Sequence, residues 1–135
     1  MIIGFSGAQV GMNDFQLENL RKYLDSNSVD VTGAHGVCVG ADQQFHDALK
    51  IRGIPIIGRP CTILDKRAKI PDEDFTKLFS PAPPLHRNKK IVNSSNVMII
   101  APKGPEVLRS GTWMTYRYAK SRSVPILFLW WKFFS

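Results

Sequence analysis

The sequence predicts a three-layer α/β fold with a mainly parallel sheet of about five strands. Short apolar runs alternate with helix-like stretches along the chain. Two runs, residues 54–57 and 97–101, are apolar at successive positions, which suits strands covered on both faces. Glycine-bearing loops follow three of the strands, ending near Phe5, Thr32 and Ala101. In a parallel sheet those loops gather on one rim, where such folds bind ligands.

Residues 2–5 form the first buried strand, and Ser6-Gly7-Ala8-Gln9 a tight loop after it. Over residues 14–24, Leu17, Leu20 and Leu24 recur at i, i+3 and i+7 between charges, the pattern of an amphipathic helix with Asn13 as its N-cap. A short, rather polar strand is expected over residues 29–32. Residues 33–42, GAHGVCVGAD, make the second glycine-bearing turn into a helix that packs through Phe45, Ala48 and Leu49. Asp42 and His46 are four apart on that helix and share a face. They are suited to binding a ribose hydroxyl or moving a proton, or else to favouring the helix start and a surface position.

Gly53 breaks this helix, and the strand beginning at Ile54 follows. Residues 58–84 are long, polar and proline-rich, with one helical turn expected around residues 74–78. The segment carries Arg59, Lys66 and Arg67, so it is either a lid over an anionic ligand or a solvated loop. Pro81-Ala82-Pro83-Pro84 sets up a helix with Arg87 and Asn88. Residues 97–101 form a central strand, residues 102–110 a Pro/Gly loop, and Ser110-Gly111-Thr112 the start of another helix, whose apolar face is Trp113, Met114 and Tyr118. Residues 124–131 are the last strand. The aromatic run Trp130-Trp131-Lys132-Phe133-Phe134 suits a core cap or a subunit interface.

The chemistry concentrates in residues 87–115. A helix start has backbone N–H groups without partners and a partial positive charge, so a glycine loop running into one is an anion site. Lys103 and Arg109 flank the loop, Arg87 precedes the strand, Gly111 lets a ligand approach the backbone and Thr112 offers a hydroxyl. The charge agrees. Residues 1–80 carry nine Lys/Arg and ten Asp/Glu, whereas residues 81–135 carry nine Lys/Arg and one acid, Glu106. Such a field attracts small nucleotides or a polymer backbone alike.

At 135 residues the chain fits one domain spanning residues 1–135. No apolar run is long enough to span a bilayer, and the start lacks the features of a signal peptide. A cytoplasmic protein without membrane contact is therefore expected. Cys38 and Cys61 have neither C-x-x-C spacing nor a ligand set around them, so two reduced thiols are expected, with no metal and no cofactor.

Arg87-Asn88-x-x-Ile91-Val92, the following strand and proline, and Ser110-Gly111-Thr112-Trp113-x-Thr115 resemble the SLOG superfamily of Rossmann-like nucleotide binders. That superfamily includes the Lonely Guy phosphoribohydrolases and DprA-type DNA-processing proteins. Gly4-Phe5-Ser6-Gly7 and His35-Gly36-x-x-x-Gly40-Ala41-Asp42 fit small standalone members, and the likeness runs to about Leu129. It implies a nucleotide or nucleotide-derived ligand, held through phosphate by Ser6, Gly7, Gly36, Gly40, Asp42, Arg87, Arg109, Ser110, Gly111 and Thr112. It also implies a homo-oligomer.

Three functions follow. The first is a domain that senses or sequesters a nucleotide signal such as an ADP-ribose derivative. The second is a nucleotide N-glycosidase. Against it, Thr115 stands where the resemblance places a glutamate, and a hydroxyl neither stabilises an oxocarbenium-like centre nor activates water well. Asp42 or Glu106 would have to substitute. The third is weak, DprA-like nucleic-acid binding, for which the charge speaks but no helix-turn-helix, zinc finger or basic tail does.

Overall fold

Alternation along one strand builds the layers. In β5 (Val97–Ala101), Met98 and Ile100 pack on one side with Ile91, Val92 and Ala119, while Ile99 and Ala101 face the other, with Ile3, Phe5, Phe45 and Leu49. Both faces of the strand are thus covered, as its unbroken apolar run requires. The computed structural model describes residues 1–132. Its other elements are β1 (Ile2–Gly7), α1 (Asp14–Ser26), β2 (Thr32–His35), α2 (Ala41–Ile51), β3 (Ile56–Gly58), β4 (Lys77–Leu78), α3 (Pro84–Ser94), α4 (Gly111–Ser121) and β6 (Ile126–Phe128). Helices α1 and α2 supply the first core, and α3 and α4 the second. Among the described residues no helix is long and apolar enough to cross a membrane.

All strand pairs are parallel, in the order β4-β3-β2-β1-β5-β6. Strand order reverses between β1 and β5, whose register runs from Ile3↔Val97 to Gly7↔Ala101. A crevice opens at such a switch point, beyond the carboxyl ends of the strands. The three-layer α/β fold is as expected, but among the described residues the sheet has six strands rather than about five. The additional one, β4, is two exposed residues paired with β3 at Ile57↔Lys77 and Gly58↔Leu78.

The turn expected at residues 74–78 lies earlier, as a 3₁₀ turn over Asp72–Asp74, because Phe75 is already extended. The second strand begins at Thr32 instead of ending there. Asp30 turns the chain with φ +55°, and Leu49 fills the space a side chain on Gly33 would need. Helix α1 starts as expected: Asn13 Oδ1 accepts from Gln16 N–H (2.9 Å) and Gln16 Oε1 from Asn13 N–H (3.1 Å), a closed capping box.

Candidate functional site

Two buried or half-buried glutamines shape the rim of the crevice. Gln16 Nε2 donates to the carbonyls of Pro102 (2.7 Å) and Leu129 (3.0 Å), tying together the segments that leave β5 and β6. Gln44 Oε1 accepts from Met12 N–H (2.6 Å) and so fixes the chain after β1. Between these loops lies a cleft of about 760 Å³, floored by Phe5 to Val10, Gly36, Cys38 and Asp42 and walled by Arg87, Lys103 to Pro105 and Arg109 to Trp113. This volume is ordinary for a small-molecule site.

One wall is the start of α4. Ser110 is its N-cap: Oγ accepts from Trp113 N–H (3.3 Å) and its carbonyl from Met114 N–H (2.9 Å). The N–H groups of Gly111 and Thr112 have no acceptor among the described residues. Thr112 is 7% exposed and lines the cleft, yet its hydroxyl has no hydrogen-bond partner there either. A Cβ on Gly111 would meet no protein atom within 4 Å, so the space in front of these donors is open. These open donors face one volume, Gly111 from an exposed position and Thr112 from a largely buried one.

The facing wall centres on Arg87, also 7% exposed. Its Nε donates to Asn88 Oδ1 (2.7 Å), and Nη1 to the carbonyls of Gly36 and Arg59 (3.1 Å to the latter). Nη2 meets only the sulfur of Cys38, at 3.6 Å. No carboxylate lies within ion-pairing distance of this guanidinium among the described residues. The nearest acid in the cleft is Asp42, whose Oδ2 accepts from Gly36 N–H (3.1 Å) and Cys38 N–H (3.2 Å). Burial pushes the Asp42 carboxyl up to about 6, against the pull of Arg87 and of the two N–H donors. Burial likewise raises the Cys38 thiol to about 11, so it is not a nucleophile at neutral pH.

Of the residues singled out in the sequence, Ser6, Gly7, Gly36, Asp42, Arg87, Arg109, Ser110, Gly111 and Thr112 all line the cleft. Gly40 does not. It is the N-cap of α2 with φ +88°, and a Cβ there would overlap the Gln9 carbonyl, so it lets α2 and the loop after β1 close together. His46 points away from Asp42, toward His35 and Asp74, and is 1% exposed rather than a surface residue.

Thr115 is buried outside the cleft, its hydroxyl donating to Gly111 O (2.9 Å) within α4. Glu106 pairs with Arg117 (2.6 Å) and is likewise outside, which leaves Asp42 as the cleft's carboxyl group among the described residues. Trp113 reaches the cleft edge but sits in an aromatic cluster with Tyr116, Phe128 and Trp131, its Nε1 donating to Gly104 O (3.3 Å).

The 59–83 segment is pinned, with Val39 N–H donating to Lys66 O (2.9 Å) and Ala68 N–H to Val37 O (2.8 Å). Lys66 alone of its three cations named above lines the cleft; Arg59 stacks on Phe79 and Arg67 donates to Cys61 O. Trp130 and Trp131 cap the aromatic cluster beside β6, whereas Phe133 and Phe134 lie outside the described residues. Sequence reading missed Cys38, Ile91 and the rim-setting Gln16 and Gln44. A buried Gln carries no periodic signal.

No protein-family model and no curated protein sequence matches the chain. Solved structures do. The molybdenum cofactor binding protein of Rippkaea orientalis superposes with a TM-score of 0.69 at 19% identity, over 94% of this chain and 74% of that one. DNA processing protein A of Streptococcus pneumoniae gives 0.69 at 16% identity, over 93% of this chain and 49% of that one. The molybdenum cofactor carrier protein of Chlamydomonas reinhardtii gives 0.66 at 21%, covering 94% and 75%. The chain shares the fold of these proteins. At these identities the likeness concerns the fold alone, and one fold carries different ligands in different proteins.

Proposed function

We propose that this protein binds a nucleotide or nucleotide-derived signal, an ADP-ribose derivative for example, and senses or sequesters it rather than turning it over. The phosphate sits on the Gly111 and Thr112 N–H groups and the Thr112 hydroxyl, with Arg109 and Lys103 at the mouth and Arg87 opposite. One observation carries this reading: the open Gly111 and Thr112 donors face a cleft whose opposite wall holds a buried guanidinium with no carboxylate within ion-pairing distance among the described residues, an arrangement that a bound anion would satisfy. Neighbours of the same fold are described as binding a small cofactor or processing DNA, which fits a ligand-binding cleft without choosing its ligand.

Asp42 and Asn88 flank Arg87 and are placed to receive polar groups beyond the phosphate. The sequestering protein is further proposed to be a cytoplasmic homo-oligomer, its subunits meeting at the aromatic edge beside β6; sedimentation of the purified protein reads its mass directly. The functional test is a mass spectrum of what the folded protein releases on denaturation. A phosphate-bearing nucleoside compound in stoichiometric amount is expected. A protein that releases none, and that shows no heat of binding with ADP-ribose or AMP, contradicts the proposal.

A further inference from the structure

Beneath the cleft lies a polar network that no ligand contact uses. His35 ends β2 and is 0% exposed; His46 lies one turn beyond Asp42 on α2 and is 1% exposed. The ring of His35 sits between Phe45 and Phe75, and that of His46 beside Phe75. Val37 N–H donates to His35 Nδ1 at 3.0 Å, His35 Nε2 meets His46 Nδ1 at 2.9 Å, and His46 Nε2 meets Asp74 Oδ2 at 2.9 Å. Lys50 holds the other oxygen of Asp74 at 3.0 Å.

The direction of every bond is determined. A backbone N–H can only donate, so His35 Nδ1 bears a lone pair and its proton is on Nε2. That proton goes to His46 Nδ1, so His46 carries its own on Nε2 and gives it to the Asp74 carboxylate. We propose that His46 and Asp74 are positioning residues for the cleft: they keep the His35 proton on Nε2, so that Nδ1 holds Val37 and the Gly36–Cys38 turn stays seated on Asp42 and Arg87.

The turn needs holding. Val37 is buried with φ +55°, a conformation a β-branched residue rarely adopts. Its neighbours on either side, Gly36 and Cys38, donate the two N–H groups that fix Asp42, and the Gly36 carbonyl accepts from Arg87. An added proton breaks the chain wherever it lands. On His35 Nδ1 it faces the Val37 N–H directly. On His46 Nδ1 it faces the His35 Nε2 proton, and moving that proton to Nδ1 again opposes Val37. Either way the chain is broken, at Val37 itself or at the His35–His46 bond that holds the ring in place. The charged groups facing the pair are Asp74, Lys50 through Asp74, and Arg87 across the turn.

The functional meaning of this inference rests on the ligand reading above, so its test has readouts that do not. Nitrogen-15 NMR of the full chain reports the two ring tautomers, amide exchange reports Val37, and titration with inorganic pyrophosphate reports the cleft. His35 is expected with its proton on Nε2. His46→Leu is expected to accelerate Val37 exchange about tenfold or more relative to the β5 amides at fixed pH, and to weaken pyrophosphate binding. In Asp74→Asn the amide oxygen still accepts from His46, and both readouts stay near wild type.

A His35 proton on Nδ1, or unchanged Val37 exchange in His46→Leu, overturns the inference. Should that variant not fold, wild-type protein is acidified instead: Val37 exchange, corrected for its intrinsic pH dependence, must rise as a second ring proton appears, and ring protonation without that rise is equally fatal. If Val37 responds while wild-type protein binds no pyrophosphate, the positioning role stands and the phosphate reading fails.

Discussion

Two buried titratable residues pull stability in opposite directions with pH. Burial lowers the His35 imidazole to about 3, with His46 and Arg87 adding to the effect. Below its ordinary value near 6.5 the unfolded chain takes up a proton that the folded protein refuses, so stability falls as pH drops from there to about 3. Asp42 does the reverse: raised to about 6, it is protonated in the folded state first, and stability rises as pH drops from about 6 toward the ordinary carboxylate value. Over that shared window the two contributions offset each other. Asp42→Asn retains an acceptor for Gly36 and Cys38 but no longer titrates. Urea unfolding of this variant should lose up to about 1.4 kcal/mol per pH unit between roughly pH 6 and 4 beyond any slope of wild-type protein. Equal slopes in the two proteins would remove the raised Asp42 from the account. The residue scale also bears on chemistry. With Thr115 back-bonded inside α4 and Glu106 paired to Arg117, release of free base from AMP, followed by chromatography, is expected to be slow or undetectable. Rapid release would make Asp42 a catalytic group.

At the scale of elements, the junction between β1 and α2 is the most constrained part of the site. Ala41 N–H donates to Ala8 O (3.0 Å) and Gly40 presses on the Gln9 backbone. Gly40→Ala meets both a positive φ and a backbone overlap, so a loss of about 3 kcal/mol or more is expected by denaturant titration. A loss under about 0.5 kcal/mol, the range of an ordinary surface substitution, would show that the junction yields. The elements also show what sequence can and cannot reveal. β5 and α1 were legible because their apolar spacing has one period each, and α4 because Ser110-Gly111-Thr112 is a cap followed by open N–H groups. β2 was misplaced because Gly33 is a glycine that leaves room for Leu49, and smallness is not a strand signal. β4 pairs with β3 without an apolar pattern. The partner of His46 lies 28 residues away on a segment with no periodicity, so Asp42 and His46 read as a pair that the fold in fact separates.

For the whole molecule, charge and site must be told apart. The excess of cations over residues 81–135 is enough to attract a polyanion without any cleft. DNA binding is therefore expected to be weak, indifferent to sequence and steeply reduced by salt, because a polymer releases condensed counterions. A phosphate enclosed between α4 and Arg87 is screened less. Lys120→Glu, on α4 outside the cleft, should reduce retention of single-stranded DNA on filters and leave nucleotide binding unchanged. DNA binding that survives high salt, with no nucleotide site detectable, would favour the nucleic-acid reading instead.

The central claim is that the start of α4 receives a phosphate, and calorimetric titration of ADP-ribose into wild-type, Gly111→Val and Thr112→Val proteins tests it most directly. Neither substitution should disturb the fold: a side chain at Gly111 enters open space, and the Thr112 hydroxyl bonds to nothing among the described residues. Losing one hydrogen bond to a charged group costs roughly 1.5–3 kcal/mol, so Thr112→Val is expected to bind about ten-fold or more weakly, and Gly111→Val, which fills the phosphate position, not measurably. Wild-type affinity in both variants would contradict the account.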